Sequence, residues 1–397
     1  MDTLITIITL STTLMVLYHH LGYPLLLHWV GRKPLKMAIT THTTTRRYQS
    51  SIRDQQLPMI TIIIPAYNEA AWISEKIRNL AVLDYPMERL QVILASDGCT
   101  DGTATIARQL LQEPLCRTLP LEIILFPKNR GKVAVLNEVI HLAKGELVAL
   151  SDVSALLSID ALLIAANHFK NPKTGVLNGH YHLLNPGSEG ERHYWAYQNR
   201  VQQRESSIGS ALGAHGAFYI IRKALFKRLP ADTINDDFIL PMQIVKQGYR
   251  AAYDPTIRAL ELEQANLTAD HQRRRRIAAG NFQQLLRLRE ILLPRYGATA
   301  FTFASGKGLR AIMPLLMILS LLGALLLAPE SILFTLLASA QLSLYLLASY
   351  TLLTPNHSHH PLLQALAYLV SGHLAALRGT LQYLHGDYRH HWQKVTS

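Results

Sequence analysis

The stretch Met59-Ile60-Thr61-Ile62-Ile63-Ile64-Pro65-Ala66-Tyr67-Asn68-Glu69 joins a short, β-branched apolar run directly to a polar cluster. The run Met59–Ile64 has no polar alternation, which is how a strand buried on both faces of a parallel sheet reads. Leu90–Ala95, Leu121–Phe126 and Leu147–Leu150 repeat the pattern. Between these runs Ala70–Leu80, Thr103–Leu111 and Val133–Ala143 carry helical periodicity. Strand, helix and strand in series predict an α/β domain with a mostly parallel sheet and right-handed crossovers.

Each run is followed by polar residues: Tyr67, Asn68 and Glu69; Asp97, Gly98, Thr100, Asp101 and Gly102; Asn129, Arg130, Gly131 and Lys132; Asp152 and Ser154. Ligands of open α/β sheets bind at the carboxyl edge of the strands, where all these residues would lie. Turn chemistry accounts for the Gly and Asp residues, but less well for Lys132 and Asp152 beside strand ends. No G-x-G-x-x-G follows a strand and no G-x-x-x-x-G-K-[ST] occurs, so dehydrogenase and P-loop readings fall.

The chain is 397 residues long, 49% apolar, with a formal charge of +12. That apolar share points to membrane spans. Leu4 to Val30 is long enough to cross a bilayer, and Arg32, Lys33, Lys36, Arg46 and Arg47 follow it. The positive-inside rule then places the N-terminus outside and the next domain in the cytosol. Leu309–Ala328 and Ser331–Leu353 read as a helical hairpin turning at Pro329. Pro361–His385 contains His373 and Arg378 and reads either as a further span or as an interfacial helix. The amphipathic Asn281–Phe303 reads as lying on the membrane surface. With only Cys99 and Cys116 a disulfide framework is excluded, which suits a reducing cytosol. The basic excess lies largely beside apolar segments and no nucleic-acid motif accompanies it, so no nucleic-acid partner is expected. His180 and His182, His357, His359 and His360, and His390 and His391 form histidine-rich spots, read as solvated or interfacial rather than as zinc sites. Tyr194, Trp195 and Tyr197 fall in a helical segment, Ser188–Ile208, where they either line an acceptor groove or pack in a core.

The ordered set Ile64-Pro65-Ala66-Tyr67-Asn68-Glu69, Ser96-Asp97-Gly98-Cys99-Thr100-Asp101-Gly102-Thr103, Asn129-Arg130-Gly131-Lys132 with Asn137, and Ser151-Asp152-Val153-Ser154 resembles the donor half of membrane-bound family 2 glycosyltransferases, relatives of the cellulose, hyaluronan and poly-N-acetylglucosamine synthases. The likeness continues through Gly213-Ala214-His215-Gly216-Ala217, Asn235-Asp236-Asp237-Phe238 and the arginine-rich Arg273–Asn281. The resemblance implies a GT-A fold. It implies that Tyr67, Glu69 and Asp97 hold the base and ribose of a nucleotide, commonly UDP, with Lys132 nearby. Asp152 corresponds to the first acid of a D-x-D element and would help hold Mg²⁺ or Mn²⁺ on the diphosphate. Asp237 corresponds to the presumed general base, and Asp236 beside it would raise its pKa by like-charge repulsion. Hard divalent cations favour oxygen ligands and assist a diphosphate leaving group as Lewis acids. A carboxylate in reach of the acceptor hydroxyl removes its proton as the new bond forms.

Three departures from the family pattern stand out. Ser154 replaces the second acid of D-x-D, His215 replaces an Asp, and Arg273-Arg274-Arg275-Arg276-Ile277 stands where processive synthases carry Q-x-x-R-W. Arg276 is the best aligned of the arginines for a diphosphate clamp, and the missing Trp favours single addition over polymerisation.

The expected layout is an N-terminal membrane helix (1–30), a cytosolic linker (31–57), a cytosolic GT-A domain (58–267), arginine-rich and amphipathic interfacial helices (268–308), a C-terminal membrane region of two or three helices (309–385) and a basic tail (386–397). The expected function is inverting transfer from a nucleotide-sugar donor to a polysaccharide or lipid-linked glycan hydroxyl, in a multi-pass protein of the inner (plasma) membrane in contact with lipid. The alternatives are transfer to a polyprenyl phosphate and a catalytically silent nucleotide-binding scaffold.

Overall fold

The computed structural model describes residues 2–31, 57–187, 189–263, 267–354 and 360–386. Most of the expected linker 31–57 and of the tail 386–397 lies outside them, as do His357, His359, His390 and His391 and the side chains of Arg273, Arg274 and Arg275.

Helix α1 (Asp2–Leu17) passes through a π turn, Tyr18–Gly22, into α2 (Tyr23–Val30). The α/β domain then begins with β1 (Ile60–Ala66), α3 (Ile73–Ala81), β2 (Leu90–Asp97), α4 (Thr103–Leu110), β3 (Leu121–Phe126), α5 (Lys132–Leu142) and β4 (Leu147–Ser151). Strand β1 lies between β2 and β4, parallel to both, and β3 extends the parallel set beyond β2. All of β1 is buried because its two faces serve two cores. Ile62 and Ile64 pack with Ile73, Ile77 and Leu80 of α3, whereas Ile63 packs with Val135 and Leu136 of α5. A period-two strand between two apolar layers has no polar side, which explains the unbroken apolar run.

The second half of the sheet adds antiparallel pairs to the expected, mostly parallel set. It is built from β5 (Ala155–Leu157), α6 (Ala161–His168), β6 (Thr174–Leu183), α7 (Glu189–Ile208), β7 (Phe218–Arg222), α8 (Asp236–Lys246) and β8 (Arg250–Glu261). The eight strands run in the order β3-β2-β1-β4-β7-β6-β8-β5. Strand β7 pairs antiparallel with both β4 and β6, and β5 antiparallel with β8, while β6 and β8 are parallel. The sheet is therefore mixed. The reversal at β7 follows from the chain returning through α7 to lie beside the edge that β4 leaves open.

Helices α9 (Leu267–Arg287) and α10 (Ala298–Thr302), a second π turn at Phe303–Gly308, and helices α11 (Leu309–Leu327), α12 (Ile332–Leu353) and α13 (Pro361–Leu384) complete the chain. Among the described residues three helical stretches are long and apolar enough to cross a membrane: Thr3–Val30, Ala298–Leu327 and Ile332–Leu353. Helix α13 packs on α9 and α12. Helix α1 lies along α11, where Thr13 and Ser320 hydroxyls meet at 2.7 Å. A methyl on Gly323 would fall 1.9 Å from Thr9 Oγ1, so only glycine permits this approach, as at close-packed membrane helices.

The segment Asn281–Phe303 is built of several short pieces. Helix α9 ends at Arg287 and 3₁₀ turns follow. Leu288 and Ile291 are buried in the core of the α/β domain, and Leu286, Leu292 and Leu293 are exposed. Its apolar residues are thus divided between the domain core and the outer surface.

Candidate active site

The loop after β1 is knitted to the loop after β2. Asn68 adopts φ 55°, a left-handed conformation that Asn tolerates, and its Oδ1 accepts from the Thr100 backbone N–H at 2.8 Å. The Glu69 N–H donates to Thr103 Oγ1 and the Ala70 N–H to Asp101 Oδ2, each at 2.8 Å. These bonds hold Tyr67 and Glu69, both half-buried, at the end of β1.

Asp97, at the end of β2, is fully buried. Its carboxylate accepts from Arg130 N at 2.9 and 3.0 Å and from Gly131 N at 2.8 Å. Gly98 (φ 68°) lets the Lys128–Asn129 backbone come so close that a Cβ would sit 2.4 Å from Asn129 N. Asp97 thus stations the backbone immediately before Lys132, the first residue of α5.

Lys132 is the bridge of the cluster. Its Nζ donates to Asp152 Oδ1 at 2.8 Å and lies 3.9 Å from Asp236 Oδ2. Asp152 follows β4, and Asp236 and Asp237 open α8. Gly216 lines the same space: a methyl there would stand 3.1 Å from Asp152 Oδ2 and 3.6 Å from both Asp237 Oδ2 and Lys132 Nζ. Four side chains from three separate segments therefore face one point at the carboxyl edge of the parallel strands.

The electrostatics follow from this packing. Burial, and then Asp236, push the Asp237 carboxyl up to about 6, against the pull of Lys132 and Arg276. Burial opposes the charge of Lys132, but Asp152 and Asp236 outweigh it and hold the ammonium protonated well above its usual range. Arg276, exposed on α9, is thereby on the side of Asp237. His215 stacks on Tyr181, ring centroids 3.6 Å apart, and meets Trp195 edge-on at 4.8 Å. Its Nδ1 accepts from the Ala217 N–H at 3.2 Å, which places the ring proton of the neutral form on Nε2. Tyr194 leads from Trp195 to Tyr368 on α13, so the aromatic residues form a shelf beside Gly216. Ser154 is buried behind Asp152. Asn137 is spent on structure, pairing its amide with the backbone of Leu229 in both directions. His180 is likewise engaged, with the Tyr253 hydroxyl at 2.9 Å.

Two members of the site escaped the sequence reading. Lys76 of α3 is fully buried and donates to Ser151 Oγ at 2.6 Å and to the Ala155 carbonyl at 2.5 Å, while Ser151 Oγ also donates to the Ala217 carbonyl. It clamps both ends of the turn that presents Asp152. The signal was available, because Ile73, Lys76, Ile77 and Leu80 form one helical stripe and a lysine inside it needs a partner. Tyr219 on β7 lies beneath the carboxylates. Burial, then Asp236, Asp237 and Asp152, keep its hydroxyl protonated, and that hydroxyl makes no hydrogen bond among the described residues. Nothing in its sequence context marked it.

The residues fit a divalent cation in a limited way. Among the described residues Asp236 Oδ2 is buried without a hydrogen bond, and Asp152 Oδ2 faces the space at Gly216. Among the described residues no three His, Cys, Asp or Glu side chains are grouped to hold a metal by themselves. A cation here would need further oxygen ligands from a diphosphate and water.

A mixed α/β sheet with carboxylates and a lysine gathered at the carboxyl edge of its parallel strands, joined to apolar helices near both termini, is the GT-A architecture. Residues 61–229 match the model of Glycosyl transferase family 2. Over 241 residues it is 26% identical to the poly-beta-1,6-N-acetyl-D-glucosamine synthase of Staphylococcus epidermidis, covering 59% of this chain and 57% of that one. Over 244 residues it is 25% identical to the enzyme of the same name from Staphylococcus aureus, covering 59% and 58%. The chain thus spans less than two thirds of these curated relatives. Among solved structures, the mannosyltransferase PcManGT from Pyrobaculum calidifontis, in complex with GDP-Man and Mn²⁺, is 23% identical and superimposes with a TM-score of 0.64 over 94% of this chain and 99% of that one.

Proposed function

We propose that this protein is an inverting glycosyltransferase that moves a sugar from a nucleotide-sugar donor, a UDP-sugar in the first instance, to a hydroxyl of a polysaccharide or lipid-linked glycan at the cytosolic face of the inner membrane. The observation that carries this reading is the meeting of Lys132, Asp152, Asp236 and Asp237 around Gly216. The Staphylococcus relatives support an N-acetylglucosamine donor as the first to try, and GDP-mannose is the second. The cytosolic placement rests on the basic residues that follow the first apolar helix.

In this reading Tyr67, Glu69 and the loop stationed by Asp97 receive the nucleoside. Lys132 and Arg276 offset the diphosphate charge. Asp152 would be the protein ligand for Mg²⁺ or Mn²⁺, which when bound would supply Lewis-acid assistance to a diphosphate leaving group. Asp237, with its proton affinity raised by burial, accepts the proton of the acceptor hydroxyl as that oxygen bonds to the anomeric carbon. The bond from that carbon to the diphosphate breaks on the opposite face, so the configuration inverts. The shelf of His215, Trp195 and Tyr194 offers apolar faces to the acceptor sugar.

The test is nucleotide release from a panel of nucleotide sugars by the purified chain with Mn²⁺, before and after chelation. Release from one donor that stops with EDTA and returns with Mn²⁺ is the expected result. No release from any donor leaves the silent-scaffold reading. Asp237→Asn separates the two acceptor classes: a hydroxyl acceptor loses turnover, and a polyprenyl phosphate, already anionic, keeps much of it.

A further inference from the structure

The two π turns of the membrane helices face one another. Tyr18 Oη and Ser305 Oγ meet at 2.9 Å, and His19 Nδ1 lies 2.9 Å from the Ser305 carbonyl. Each π turn offsets the helix by one residue, a distortion that recurs at functional sites. Here the offset opens a polar cavity between α2, α7 and the entry of α11. It encloses about 40 Å³ and opens to the outside, and Tyr23, Tyr197, Gln202, Glu205, Lys307 and Arg310 line it.

Its charges do not balance. Among the described residues Glu205 is the only acid in the lining, against Lys307 and Arg310. Both Glu205 oxygens are already engaged, one accepting from Tyr23 Oη at 3.1 Å and the other from Leu212 N at 3.3 Å. Burial also pushes the Glu205 carboxyl up, which weakens its compensation further. The next carboxylate, Asp237, already has Lys132 and Arg276 facing it. Two cations against one acid, at the end of apolar helices, are costly without an anion from outside.

The cavity also adjoins the transferase site. Lys307 Nζ lies 5.3 Å from the ring of Phe238, the residue after Asp237. Arg310 hydrogen-bonds Tyr194, which stands on the aromatic shelf. We infer that this cavity binds the phosphate of a membrane-borne acceptor lipid through Lys307 and Arg310, with the lipid tail in the bilayer and the glycan extending over the aromatic shelf toward Asp237. This deepens the proposed transferase function and rests on it for the acceptor's role. The anchoring of the phosphate needs no bond to break.

The test uses the full chain in phosphatidylcholine nanodiscs carrying increasing fractions of phosphatidic acid as the phosphomonoester probe, with retained lipid counted by native mass spectrometry. One phosphatidic acid per chain is expected, taken up saturably, displaced by dodecyl phosphate and far more weakly by inorganic phosphate. Lys307→Gln and Arg310→Gln should each weaken retention about tenfold. Lys307→Arg should retain it, as should Arg289→Gln, which removes an exposed cation elsewhere. Unchanged retention in both glutamine variants, or inorganic phosphate competing as well as the lipid, overturns the inference. Where the glutamine variants give no monodisperse protein, the wild-type titration decides: saturable single-site uptake supports the site and non-saturable uptake overturns it. Nucleotide release by the wild type is measured in parallel. Its absence removes the transferase reading while the retention result stands or falls separately.

Discussion

A single methyl at Gly216 tests the active-site assignment most directly. The Gly216 backbone is outside the left-handed region, so alanine adds no conformational strain. The methyl would lie 3.1 Å from Asp152 Oδ2, short of ordinary van der Waals contact, and 3.6 Å from Asp237 Oδ2 and Lys132 Nζ. Asp152 would have to retreat by a few tenths of an ångström, and the space where the reacting groups meet would shrink by a carbon. Misplacement by about 1 Å costs on the order of a hundredfold in rate. Gly216→Ala is therefore expected to lower kcat/KM by about 30- to 150-fold, or roughly 2–3 kcal/mol of transition-state stabilisation. Stability should barely change, because alanine also reduces the entropy of the unfolded chain by about 0.4–1 kcal/mol. The assay is the initial rate of nucleotide release with Mn²⁺, read beside thermal unfolding in the same detergent. A variant within threefold of wild type in rate, with unaltered unfolding, refutes the claim that chemistry happens between these carboxylates.

Three more perturbations follow from the geometry. Asp237 is raised to about 6, so kcat/KM should fall as pH drops through that value, and Asp236→Asn, which removes the like charge, should move this acid limb lower; a flat profile in the acid range contradicts the base assignment. Lys76→Met leaves Ser151 Oγ and the Ala155 carbonyl without their donor, at a cost of about 1–3 kcal/mol visible in chemical or thermal unfolding. Burial depresses Lys76 to about 7, so above that pH the unfolded chain binds more protons than the folded one and wild-type stability should rise from about pH 7 toward 10; the Met variant should lose that slope. Asp97→Asn cannot accept the three N–H contacts of Arg130 and Gly131, so it should lose about 1–3 kcal/mol and raise the KM for the donor, measured by unfolding and by initial rates.

The parallel half of the sheet was readable because β1, β2 and β4 are buried on both faces, and such strands leave unbroken apolar runs. Strand β6 was not, since Asn178, His180 and His182 interrupt it, and β7 and β8 gave no cue to their pairing. The same limit applies to the amphipathic stretch Asn281–Phe303: its pattern shows that some face is apolar, but not that Leu288 and Ile291 turn inward to the domain.

What the amino-acid order alone settled is local in origin: short apolar runs make strands, polar residues at their carboxyl ends make an edge, and long apolar stretches near the termini make helices long enough to cross a membrane. What required the folded chain is everything that depends on distance between remote segments. Lys132 joins Asp152 to Asp236, Lys76 locks the turn that carries Asp152, and two π turns open a charged cavity beside Phe238. These relations depend on the long-range crossing of β4, β7 and α8 and on the seating of α2 and α11 against α7. No local pattern encodes those, because hydrophobic periodicity reports which face of an element is buried but not which other element buries it.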